Sequence, residues 1–290
     1  MTALLLALVL SAPARSPAEQ GFASLTLLEG SLTLIRGTTV YQGVEGMQLK
    51  RGDILETSSN SFAQLEFATG GVVALGPVTR IYILPARGSG DGRTPSLDLV
   101  FLDGWLKSEA AAAKGVYHFR SALLAVSTTG GTVVLRSSST SCDIFLESGS
   151  SFSLSEVNPS GETGSATQAK TGQFFSRQKG APVSTFVRPS APFLEALPKQ
   201  FRDTLPPRQS RLPDKPVEAK AEHPVSFDEI EPWLKLPSAW RKGLAERFSP
   251  RLSDASFRKQ IETHVQEFPE WVPILYPKKA SEAPQVRIKQ

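Results

Sequence analysis

Of 290 residues, one is cysteine, Cys142, and three are histidine. A single cysteine excludes an internal disulfide and any site built from several thiolates. His118, His223 and His264 fall in an expected strand, linker and helix, none with a metal-ligand partner at helical or hairpin spacing, so no metal or other cofactor is expected. Gly-x-Ser-x-Gly, His-Glu-x-x-His and the Walker loop are all missing, and the carboxylate pairs Asp228 with Glu229 and Glu267 with Glu270 belong to a helix cap and a helix end. No enzyme is expected. Neither charge sign dominates: 32 basic residues face 28 acidic ones, a net +4 spread along the chain, which argues against a nucleic-acid partner. No apolar run reaches the roughly 20 residues a membrane-spanning helix needs, so no transmembrane helix is expected in the mature chain. The short run Ala3–Leu10 followed by small residues at Ala12 and Ala14 reads instead as a signal peptide over 1–14, and sends the chain to the periplasm or outside the cell.

What the chain has in quantity is two-residue alternation. From Gly46 to Ile83 apolar side chains recur at Ala63, Leu65, Phe67, Val73, Leu75, Ile81 and Ile83, broken by Gly52-Asp53, Thr69-Gly70-Gly71 and Gly76-Pro77. Period two with glycine or proline at the breaks means short antiparallel strands with one buried face. Alternation starts at Phe22, with Leu25, Leu27, Leu32 and Leu34, and resumes after a glycine-rich loop, Arg87–Pro95, at Leu97, Leu99 and Phe101. That loop has neither the following helix nor the lysine of a phosphate-binding loop. A second copy of the pattern lies further on: Ile144, Leu146, Ser148, Gly149, Phe152 and Leu154 take the places of Leu65, Phe67, Thr69, Gly70, Val73 and Leu75. The expected fold is mainly β, an antiparallel two-layer roll or sandwich with an imperfect internal repeat, followed by a small three-helix C-terminal unit.

The pattern Gly46-x-x-Leu49-x-x-Gly52-Asp53-Ile54-x-x-Thr57, then Ser61-x-Ala63-x-Leu65-x-Phe67, a glycine turn and Val73-x-Leu75-x-Pro77-x-Thr79-x-Ile81, resembles the core of FecR-type domains. Thr69-Gly70-Gly71 stands where the family usually has Asp-Gly-Ser, and Gly131-Thr132-Val133 resembles a later Gly-Thr of the same family. The resemblance covers residues 22–187. It implies a periplasmic all-β module, best known as the outer half of membrane-bound regulators that pass an iron-uptake signal to a sigma factor, and it implies no catalytic residues.

Beyond 187 the composition changes. Residues 188–224 read as a short helix with Phe193, Leu197, Phe201 and Leu205 on one side, interrupted by Pro198, and then a proline-rich linker. Residues 225–276 read as three amphipathic helices, the first opened by the capping box Ser226-x-x-Glu229, and 277–290 as a loose tail. Three of the four tryptophans crowd this helical unit beside several arginines, and Trp240, Arg247, Arg251, Arg258 and Trp271 are its candidate interaction residues, because tryptophan and arginine dominate interface hot spots. The function expected is binding or scaffolding in the cell envelope, with an envelope protein in signalling as partner. A cell-wall polymer held by a structural or glycan-binding protein is the other reading.

Overall fold

A computed structural model describes residues 22–85, 96–110, 115–213 and 215–277. The leader over 1–14, the loop Arg87–Pro95, nearly all of the alanine run 110–113 and the tail after 277 lie outside the described residues.

The strands, in chain order, are β1 (Ala23–Glu29), β2 (Leu32–Arg36), β3 (Thr39–Gln42), β4 (Gln48–Leu49), β5 (Ile54–Thr57), β6 (Phe62–Phe67), β7 (Val72–Leu75), β8 (Arg80–Ile83) and β9 (Ser96–Ala110). There follow β10 (Val116–Arg120), β11 (Leu124–Thr128), β12 (Gly131–Ser137), β13 (Ser141–Ser148), β14 (Phe152–Glu156), β15 (Thr167–Ala169), β16 (Phe174–Gln178), β17 (Ser184–Phe186) and β18 (Lys220–Pro224). They form two layers. One has the order β4-β1-β6-β7-β9-β12-β13-β16-β17, the other β18-β3-β2-β5-β8-β9-β10-β11-β14-β15, and among the described residues every strand pairing is antiparallel except that of β10 with β9.

The long strand β9 belongs to both layers. Its first half pairs with β8 and its second half with β7 and β12. It crosses between layers at Gly104, whose φ of +95° and whose approach to the Thr79 backbone at 2.5 Å from an added Cβ leave room for glycine alone. The Asp103-Gly104 pair thus bends one continuous strand.

Between the layers sits one apolar core, to which both sheets send alternate residues: Leu25, Leu65, Val73, Leu106, Val133 and Ile144 from the first, Leu34, Leu55, Ile81, Phe101, Phe119 and Phe152 from the second. Both outer faces are covered as well. A strap leaving β17 carries α1 (Ala191–Ala196) and a 3-10 turn at Lys199–Phe201, and buries Phe193, Phe201 and Leu205 against Phe62, Val72, Ala74 and Trp105 of the first layer. The strap then wraps the sheet edge: Val217 bridges Met47, and β18 pairs with β3. The stretch read as a linker is therefore part of the sheet. Finally α2 (Phe227–Leu234), α3 (Ser238–Phe248), α4 (Ala255–Thr263) and the single turn α5 (Val272–Leu275) close a core with Ile35, Ile54, Tyr82 and Val100 on the outside of the second layer. The capping box at Ser226–Glu229 forms, and Asp254 caps α4 by accepting from the Phe257 amide at 2.8 Å.

The internal repeat exists, one strand later than the apolar pattern suggested. In the first unit β6 pairs with β7, β5 with β8, β1 with β6 and β2 with β5. In the second, β12 pairs with β13, β11 with β14, β9 with β12 and β10 with β11. So β13 is the counterpart of β7, not of β6, and β13 and β14 lie in opposite layers whereas β6 and β7 form a hairpin in one. The first unit crosses between layers on the Gly104 side. The second crosses on the opposite side, where Gly131 faces Ala110.

The Gly52-Asp53 turn has a structural explanation. Asp53, 1% exposed, accepts both arms of the Arg36 guanidinium at 2.9 and 2.6 Å and the Lys50 amide at 2.8 Å. At another bend the backbone is strained: Val78 has φ +50° with its side chain 54% exposed. A β-branched residue in the left-handed region costs about 1 kcal/mol or more. Val78→Asn should therefore raise the unfolding free energy by about 1 kcal/mol in urea titration, and an unchanged or lower midpoint would contradict the strain.

Candidate interaction surfaces

The five residues singled out in the helical unit do not assemble into a groove. Trp240 and Trp271 are core side chains, Trp271 fully buried with Phe257 edge-on at 6.3 Å. Arg247 crosses to the sheet and donates to the carbonyls of Gly37, Gly52 and Ile35 at 2.9, 2.5 and 2.9 Å. Burial pushes its pKa down, opposed by Tyr82 and Asp53. Arg251 donates to the Val225 carbonyl at 2.8 Å. Arg258 alone faces solvent, paired along its helix with Glu262 at 2.9 Å. A planar guanidinium suits several carbonyls at once, so Arg247 fastens the helices to the sheet. Trp233, absent from that group, does the same work: its indole N–H donates to Glu56 at 2.9 Å, and desolvation raises the Glu56 pKa despite that bond.

The groups that could carry chemistry are engaged inside the fold. Among the described residues no three of His, Cys, Asp and Glu converge as metal ligands would. Cys142 is fully buried, its thiol pushed up to about 12 by desolvation, which removes the thiolate a nucleophile needs. His264 stacks on Phe227 at 5.1 Å, and His223 lies 3.6 Å from Glu229.

Two open regions stand out among the described residues. At the end of the first layer β17 pairs only with β16 among the described residues, and Ser184, Thr185 and Phe186 are all exposed. Beside this free edge lie Phe186, 50% exposed, and Val187, 89% exposed. Lys179 and Arg188 flank it, exposed and in no ion pair among the described residues. An unpaired edge with apolar side chains is a template for strand addition, which proteins ordinarily block.

The second region is a depression of about 250 Å³ on the outside of the second layer, where His118, Ser127 and Ser153 stand in one cross-strand row and Arg120, Ala125 and Ser155 in the next. Thr163, from the loop after β14, forms its wall. Burial holds the His118 pKa below its ordinary value, opposed by Asp98 and reinforced by Arg120. The unfolded chain therefore binds the proton more readily. Stability is fully present above the ordinary histidine value of about 6.5 and falls as pH drops from there through the lower folded value. His118→Gln should flatten that part of the stability-against-pH curve measured by urea titration; an identical slope in the variant would show that His118 is not its source.

Sequence alternation marks Ser127, Ser153 and Ser155 as outward, but nothing in it says which outward faces stay uncovered.

No family model matches the sequence, and no curated protein matches it. Among solved structures, two crystal structures of a proposed anti-sigma factor from Parabacteroides distasonis are similar, with TM-scores of 0.38 and 0.37 at 11% and 9% identity over 47% of this chain. The chain spans 59% of the length of those neighbours, and the likeness carries no argument about function.

Proposed function

We propose that this chain is a non-enzymatic binding or scaffolding protein of the cell envelope, built on a FecR-type β-module and exported to the periplasm, which takes an extended segment of an envelope protein onto the free edge of β17. The observation carrying this reading is the combination at that edge: a strand unpaired on one side among the described residues, exposed Phe186 and Val187, and the cations Lys179 and Arg188 on either side. Strand addition draws affinity from main-chain hydrogen bonds and specificity from alternate side chains. Two unopposed cations favour a partner strand with acidic residues. A soluble role in envelope signalling fits such a site, since the FecR-type module that the strand spacing resembles is the outer half of its regulators.

A photo-crosslinker at Val187, in the protein's own cells, should capture a single envelope protein. The same group at Glu262 should not, and Lys179→Glu with Arg188→Glu should reduce the yield. Equal capture from both positions, or capture indifferent to charge reversal, would remove the edge from consideration. Retention on purified murein with no protein captured would favour the second reading, glycan binding, for which the hydroxyl-lined depression is the specific observation.

A further inference from the structure

We infer that the depression around Ser127 and Ser153 is a binding site for a neutral saccharide, independent of strand addition at β17.

The internal repeat supplies a control within one molecule. In the first unit the outward rows of the second layer are Ile35, Ile54 and Tyr82, and Thr33, Glu56 and Arg80. The apolar row is buried under the helices, and Glu56 is bonded by Trp233. The counterparts in the second unit are Arg120, Ala125 and Ser155, and His118, Ser127 and Ser153. At matching places in matching strands, the charged Glu56 and Arg80 have become Ser127 and Ser153 and Tyr82 has become Ser155, and only Ala125 still packs on the helical core. An outward face with no covering element ordinarily carries charged residues. This one instead carries a cluster of short hydroxyls inside a concavity.

The charge and shape fit one ligand class. Arg120 is neutralised by Asp98, Nη2 to Oδ1 at 2.6 Å, and the imidazole of His118 is kept uncharged by burial, so the site holds no free cation for an anion. The hydroxyls of Ser127, Ser153, Ser155 and Thr163 make no hydrogen bond to the described residues and are open to the depression. A hydroxyl both donates and accepts, which suits a ligand whose own hydroxyls do the same. The cavity is commensurate with a single sugar ring.

The wall is fixed before any ligand arrives. Asn158 Oδ1 accepts from the amides of Ser160 and Glu162, both at 3.0 Å, and the Ala239 amide at the start of α3 donates to the Ser160 carbonyl at 3.1 Å. Gly161, at φ +91°, lies against Pro237 so closely that an added Cβ would meet it at 2.7 Å. A rigid wall lowers the ordering cost of a weak polar ligand.

Calorimetric titration of the full chain with neutral trisaccharides of glucose and of N-acetylglucosamine, and with inorganic phosphate, tests the assignment. At least one trisaccharide should bind saturably and phosphate should not. Ser127→Val with Ser153→Val should weaken binding about tenfold, the loss of two hydrogen bonds, with an unchanged thermal midpoint. Should that double variant not fold, Thr163→Val tests the same hydroxyl set from the wall. No saturable binding by either sugar, equal binding by the hydroxyl variants, or tighter binding of phosphate would each overturn the proposal.

Discussion

Asp53→Ala should lower the unfolding free energy by about 3 kcal/mol, because removing one member of a buried ion pair leaves the other without compensation. The buried carboxylate accepts three hydrogen bonds, two from Arg36 and one from the Lys50 amide. Arg36 is 29% exposed and can recover some hydration, which places the loss at the low end of the range for buried pairs. The effect should spread beyond the turn. Arg247 donates to the neighbouring Gly52 carbonyl as well as to Gly37 and Ile35, so a turn that slackens also loosens the anchor of the helical unit. For a chain of this size about 3 kcal/mol corresponds to a drop in Tm of about 6–12 °C. Urea titration followed at tryptophan fluorescence reports on the helices, since Trp233, Trp240 and Trp271 all lie in that core. A loss under 1 kcal/mol would mean that the Gly-Asp pair is placed for something other than fastening the turn.

That turn also shows what the sequence makes legible. Period-two alternation placed Leu65, Val73, Ile81 and Phe101 in the core correctly, because inward and outward residues along a strand differ chemically wherever one face is buried. The same property made the repeat ambiguous. An alternating strand looks like any other alternating strand, so the match of Ile144 and Leu146 to Leu65 and Phe67 was one element out of step with the pairing of β13 to β12 and β16. Pairing lives in contacts distant along the chain, which alternation does not record. The arginines were misleading for a related reason. Arg247 and Arg251 satisfy carbonyls of the sheet and of the strap, acceptors that every residue possesses and no sequence pattern can show. At the first helix start, by contrast, Ser226 and Glu229 act within a turn of themselves, and local chemistry was enough to find them.

The residue whose role no pattern exposes is Lys107, and Lys107→Met should cost about 3–5 kcal/mol. Its side chain is 1% exposed on the outside of the first layer. The ammonium donates to the carbonyls of Phe201 and Asp203 at 3.0 and 2.9 Å and lies 3.2 Å from Glu147 and 3.6 Å from Glu109. Methionine fills the stem's volume while leaving the Phe201 and Asp203 carbonyls without this donor and Glu147 without its ion-pair partner, so the loss isolates the charge from the packing. Glu109 accepts the Leu205 amide, and Glu66 accepts those of Arg208 and Gln209, so the sheet reads the strap's backbone at both donors and acceptors. Without Lys107 the strap keeps its apolar contacts at Phe193, Phe201 and Leu205 but loses the bonds that fix its path between them. Trypsin should then cut at the exposed Lys199 and Arg202 well before the sheet unfolds, while cleavage in the α2–α4 region keeps its wild-type rate. Equal protection of the strap in the variant would show that side-chain packing alone holds it, and that the buried ammonium contributes to folding elsewhere.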